Sequence, residues 1–93
     1  SDIFFNPPAR PLSRQRFTQQ VQKSGLILDF KSQMLCYNYT VFINGIAHPT
    51  NHASYAMLRQ LADKREMSSG IACPAEAMEL LYQSYLNGYM QPA

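Results

Sequence analysis

The sequence predicts a small α+β domain, a three-stranded antiparallel meander accompanied by about three helices. Three observations carry that expectation. The run Val41-Phe42-Ile43-Asn44-Gly45-Ile46-Ala47-His48 sets an Asn-Gly pair between apolar, β-branched residues. Both central positions of a two-residue hairpin turn need positive φ, which Gly adopts freely and Asn tolerates. Upstream of that turn, Leu35, Tyr37, Tyr39, Val41 and Ile43 alternate with Cys36, Asn38 and Thr40, with Phe42 out of phase. Such a period of two reads as one half-buried strand from Met34 to Ile43. Finally, Ser13 with Gly25 and Pro74 with Gly88 bracket two helix-forming stretches with start and stop signals.

Taken in order, Ser1 to Leu12 is expected to be an extended connector. Pro7, Pro8 and Pro11 remove backbone donors and block a helix there. Phe4 and Phe5 either fold back onto the domain or once packed on a region N-terminal to it, so residues 1–12 read as a linker to a missing N-terminal part. Residues 13–93 read as the domain. Ser13 is a good N-cap for a helix over Arg14 to Ser24, with Leu12, Phe17 and Val21 as its apolar stripe and Gly25 past its end. Leu26, Leu28 and Phe30 suggest a first strand, turning at Lys31-Ser32-Gln33 into the long second one. The Asn44-Gly45 turn then launches a third strand through His48, and these three strands form the expected meander.

Pro49 ends that sheet, and Thr50 or Asn51 caps a helix whose stripe is Tyr55, Leu58, Leu61 and Ala62. Residues 64 to 70 read as a polar connection. Pro74 suits a first helical position, Glu76 and Glu79 lie near the positive helix end, and Met78, Leu81, Tyr82 and Tyr85 form the buried stripe. Gly88 closes this helix, and Tyr89-Met90 suggests a short terminal strand.

Composition narrows the function. Ninety-three residues, 46% hydrophobic and 15% charged, suit one globular core and exclude a disordered charged tail. The net charge of +2 is tilted: Arg10, Arg14, Arg16, Lys23 and Lys31 face only Asp2 and Asp29 in the first half. A nucleic-acid-binding domain usually carries a denser basic patch, so nucleic acid is not the expected partner. Cys36 and Cys73 form no CxxC and suit reduced thiols of a cytoplasmic protein. No apolar run approaches the ~20 residues of a membrane span, and no signal peptide is visible.

Little in the chain points to catalysis. His48 and His52 are four apart, the spacing of a helical metal pair, but Pro49 separates them and no acid lies near. No Ser or Cys is set off with a base and an orienting group, and the four glycines are too scattered for a phosphate loop. The residues best placed for contact are the acid-free cluster Arg10, Arg14, Arg16 and Lys23 on the flank of the first helix, with Tyr89 near the closing turn.

The stretch Phe17 to Phe30, the strand ending Phe42-Ile43-Asn44-Gly45, and the two helices ending Leu86-Asn87-Gly88-Tyr89 resemble one known region. It is the C-terminal winged-helix-like domain of bacterial ribosomal oxygenases, Jumonji-C/cupin enzymes that hydroxylate an arginine on a large-subunit ribosomal protein. The resemblance covers residues 4 to 91. It implies a parent enzyme using Fe(II) and 2-oxoglutarate, whose iron site is a His-x-Asp and a distant His in an N-terminal cupin barrel. No His-x-Asp occurs here, since Pro49-Thr50 follows His48 and Ala53-Ser54 follows His52. The resemblance therefore implies a non-catalytic accessory domain with no cofactor of its own, partnered by the rest of the oxygenase and by a ribosomal protein. The alternatives are a free-standing winged-helix nucleic-acid binder and a peptide-binding module using its sheet edge through Tyr37, Tyr39 and Ile46.

Overall fold

Helix α1 spans Arg14–Ser24, as the capping signals require. Ser13 Oγ accepts a hydrogen bond from the Arg16 amide, satisfying one of the free donors of the first turn. Phe17 and Val21, one turn apart, are its buried residues. Gly25 ends it with φ 87°, and a side chain there would overlap the Met67 carbonyl oxygen. The computed structural model describes residues 3–93.

Among the described residues, six short strands form two antiparallel sheets, β1 (Leu26–Leu28), β2 (Met34–Tyr37), β3 (Thr40–Ile43), β4 (Ile46–Pro49), β5 (Glu66–Met67) and β6 (Met90–Pro92). The first sheet has the order β5-β1-β6 and the second β2-β3-β4. Helices α2 (His52–Lys64) and α3 (Ala75–Leu86) complete an α+β fold consistent with a winged helix. A single core of Phe17, Leu26, Val41, Ile43, Leu58, Leu61, Leu81 and Met90, each no more than 2% exposed, joins all three helices to both sheets.

The expected meander exists, but its strands are not the expected ones. The stretch Met34 to Ile43 is a hairpin, not one strand. Asn38 and Tyr39 turn it, with φ of 51° and 61°. A tyrosine in the left-handed region costs roughly 1–2 kcal/mol. Here the Tyr39 ring stacks on His52 with centroids 4.2 Å apart, and it contacts Tyr55 at 5.0 Å. Its carbonyl accepts from both the amide and the hydroxyl of Thr50. Those contacts offset the strain.

The hidden turn also changes the faces. Across a two-residue turn, Cys36 pairs with Val41 and Leu35 with Phe42, so odd-numbered residues before the turn share a face with even-numbered ones after it. Val41 and Ile43 are buried, whereas Leu35 and Tyr37 are 65% and 76% exposed. The out-of-phase Phe42 was the trace of this turn.

The Leu26-to-Phe30 strand does not join the meander. Asp29 caps a turn through its side chain, accepting the Lys31 amide at 2.9 Å, and its carbonyl accepts the Ser32 amide. β1 instead lies between β5 and β6, with Leu26 opposite both Met67 and Pro92. The supposed polar connection therefore contains a strand, β5. Asn51 caps α2, its side chain accepting from the Ser54 amide. Pro74 is the N-cap residue of α3, one position before its expected place.

Candidate contact surface

The five residues expected to form a contact face are not brought together. Arg10 is exposed in the irregular segment before α1, and Arg16 and Lys23 are exposed two turns apart along one line of the helix. Tyr89 belongs to another depression, of about 390 Å³, lined also by Phe5, Lys31, Gln33 and Asn44. There the Phe5 ring meets Tyr89 edge-on at 4.8 Å and lies 5.5 Å from the Lys31 ammonium. Phe5 thus folds back, while Phe4 stays exposed.

Arg14 alone is built into a site. With Thr18 and Gln22, at successive helical turns, it lines a groove of about 410 Å³ between α1 and α3. The opposite wall is Cys73, Ala75, Met78, Glu79 and Tyr82. Arg14 Nε donates to both Glu79 oxygens, Oε2 at 3.0 Å, and its guanidinium carbon sits 5.1 Å from the Tyr82 ring centroid. Charge-assisted hydrogen bonding from Arg14 holds the Glu79 carboxyl below its ordinary value, and Glu79 raises Arg14 in turn.

Tyr82 and Tyr85 fix this groove to the segment before α1. The Tyr82 hydroxyl donates to the Leu12 carbonyl and the Leu12 amide donates to the Tyr85 hydroxyl, both at 2.9 Å. Behind them Phe17 stacks on Tyr85 at 4.8 Å. Sequence reasoning placed Tyr82 in the core stripe and Glu79 at a helix end. The charge reversal between Arg14 and Glu79 on two helices was the available signal.

The thiols and imidazoles are placed for structure. Burial pushes Cys73 up to about 11, so it is a protonated thiol at neutral pH, and burial also raises Cys36. His52 stacks on Tyr39, while His48 lines a shallow depression with Thr50, Ser54 and Glu76. Among the described residues, no cluster of three or more His, Cys, Asp or Glu could hold a metal ion.

A family model described as ROXA-like winged helix matches residues 2–91. The chain belongs to the ROXA-like winged helix family. No curated protein and no solved structure matches it. In this ROXA-like domain the β2-β3-β4 sheet carries Leu35, Tyr37 and Ala47 on its solvent face, without a charged side chain in any of its three strands. No helix among the described residues is long and apolar enough to cross a membrane.

Proposed function

We propose that this ROXA-like domain is a non-catalytic accessory unit of a cupin/Jumonji-C, 2-oxoglutarate-dependent ribosomal oxygenase. It aids that enzyme's folding, assembly or contact with its substrate protein. The family match over residues 2–91 carries this reading. Iron and 2-oxoglutarate would be held by the parent's catalytic region, and the chemistry of this chain's own groups is that of contact. Its thiols are protonated and half-buried, and the His52 imidazole is stacked on Tyr39.

The basic residues support a protein partner over nucleic acid. Arg14 is neutralised by Glu79, and Arg10, Arg16 and Lys23 form no shared groove. α3 also offers Glu76 in its first turn, which would repel phosphate.

The test is a titration of this chain against the catalytic region of the oxygenase and against duplex DNA, each across a salt series. Association with the catalytic region is expected, with no steep salt dependence on DNA. DNA binding whose logarithm falls several units per log unit of salt, without association with the catalytic region, would show the free-standing nucleic-acid reading to be correct.

A further inference from the structure

The β2-β3-β4 sheet has an unpaired edge at β4, its outer strand. Ile43 and Ile46 flank the two-residue Asn44-Gly45 turn and form a hydrogen-bonded pair, so the next pair, Phe42 with Ala47, is a non-bonded one. The N–H and C=O of the exposed Ala47 therefore point away from β3. Pro49, two residues on, has no N–H, which leaves Ala47 as the outward donor of β4.

A depression of about 200 Å³ adjoins this edge, with Ala47 on one side and Ser54, Leu58, Glu76, Ala77 and Leu80 of α2 and α3 on the other. Ser54 is fully buried, and its hydroxyl has no hydrogen-bond partner among the described residues. A buried hydroxyl left unpaired is unfavourable and marks a place for a ligand's polar group. Glu76 accepts from the Asn51 amide at 3.4 Å and from its side-chain Nδ2 at 3.1 Å, one at each carboxylate oxygen. Both donors are neutral, and among the described residues no ion pair reaches Glu76.

We propose that the β4 edge and this depression together dock an extended segment of a partner polypeptide, which pairs with Ala47 and sets a lysine side chain against Glu76. Strand addition of this kind draws affinity from main-chain hydrogen bonds and specificity from side-chain pockets. The partner residue opposite Ala47 shares its solvent face, and the residues beside it point to the helix side, where Ser54 and Glu76 stand. Charge complementarity selects a cation there, because the Glu76 charge has no counter-ion. Asn51 already occupies both carboxylate oxygens, which spoils the fork that a guanidinium needs and suits the point charge of an ammonium. The ammonium's three donors suffice for a Glu76 oxygen and the Ser54 hydroxyl, and its four-carbon stem suits Leu58, Ala77 and Leu80.

The proposal rests on reading the domain as a protein-contacting unit, and its test uses this chain alone. The ¹⁵N-labelled protein is titrated with acetyl-Thr-Val-Lys-Val-Thr-amide and with the same peptide carrying Gln or Arg in place of Lys. The lysine peptide is expected to shift the amides of Ala47, Ser54 and Ala77 and to slow hydrogen exchange at Ala47. The arginine peptide should bind more weakly, and the glutamine peptide should leave these amides unmoved. Glu76→Gln is expected to weaken binding of the lysine peptide by about tenfold or more, as loss of one partner of a charge pair does. Ala47→Pro, which removes only an outward donor, is expected to abolish it.

Equal response to the lysine and glutamine peptides, arginine binding as tight as lysine, shifts centred away from β4, unchanged binding by either variant, or no response at millimolar peptide would each overturn the site. The peptide comparison needs no variant, so misfolding cannot obscure it. Such a failure alongside association with the oxygenase overturns this site alone. A responding site without that association overturns the oxygenase reading alone.

Discussion

Arg65 ends α2 with φ 62°, a conformation usually left to glycine or asparagine. Its guanidinium donates to the carbonyls of Ser32 at 3.0 Å and Asp29 at 2.9 Å, while its own carbonyl accepts the Leu28 amide. One residue therefore ties the end of α2 to the turn leaving β1. Arg65→Ala is expected to destabilise the protein by about 1–3 kcal/mol in urea unfolding, because two turn carbonyls lose a charged donor. Arg65→Lys should not restore it, since a single ammonium cannot reproduce the planar fork. Gly25 is the other sensitive position. Gly25→Ala combines a positive φ with overlap on the Met67 carbonyl and should cost at least about 2 kcal/mol, lowering the thermal midpoint by several degrees.

At the scale of elements, the β2-β3 hairpin decides which residues matter. Val41 and Ile43 are buried behind β2 and β3, while Leu35 and Tyr37 stand in solvent. Ile43→Ala should cost about 2–5 kcal/mol, and Leu35→Lys and Tyr37→Lys should each change stability by less than about 1 kcal/mol. A single uninterrupted strand would make all three substitutions comparable. The boundaries of α1 were legible because Ser13 and Gly25 act locally through backbone geometry. The Asn44-Gly45 turn was legible for the same reason. The Asn38-Tyr39 turn was not, because its strain is offset by His52, Tyr55 and Thr50, which lie eleven or more residues away in sequence. β5 was hidden likewise: two residues carry no periodicity, and Glu66–Met67 is a strand only because β1 lies beside it. Arg14 was among the expected contact residues by charge clustering alone, and the residues it meets, Glu79 and Tyr82, sit on another helix. Only the packing of α1 against α3 joins them.

For the molecule as a whole, two carboxylates link stability to pH. The side-chain and backbone hydrogen bonds from Lys31 lower the pKa of Asp29, and Arg14 lowers that of Glu79. A depressed folded-state value means that the contribution is present above the ordinary carboxylate pKa and is lost as pH falls through the folded value. The urea midpoint should therefore fall as pH drops below the ordinary carboxylate values of 4.5 for Glu79 and 3.8 for Asp29, and Asp29→Asn should remove part of that fall. A midpoint rising toward acid would contradict the ion pairing.

The proposed role is that of an accessory domain of an oxygenase. Among the described residues, one core is continuous across both sheets and the three helices. The most direct measurement takes the proposed parent oxygenase with and without this domain, following 2-oxoglutarate turnover and hydroxylation of its proposed ribosomal-protein substrate together with oligomeric state. The account expects the isolated catalytic region to retain uncoupled 2-oxoglutarate turnover while losing assembly or substrate hydroxylation by tenfold or more. Unchanged assembly and unchanged hydroxylation would contradict an accessory role. Complete loss of uncoupled turnover from a correctly folded catalytic region would instead place part of the reaction machinery in this domain.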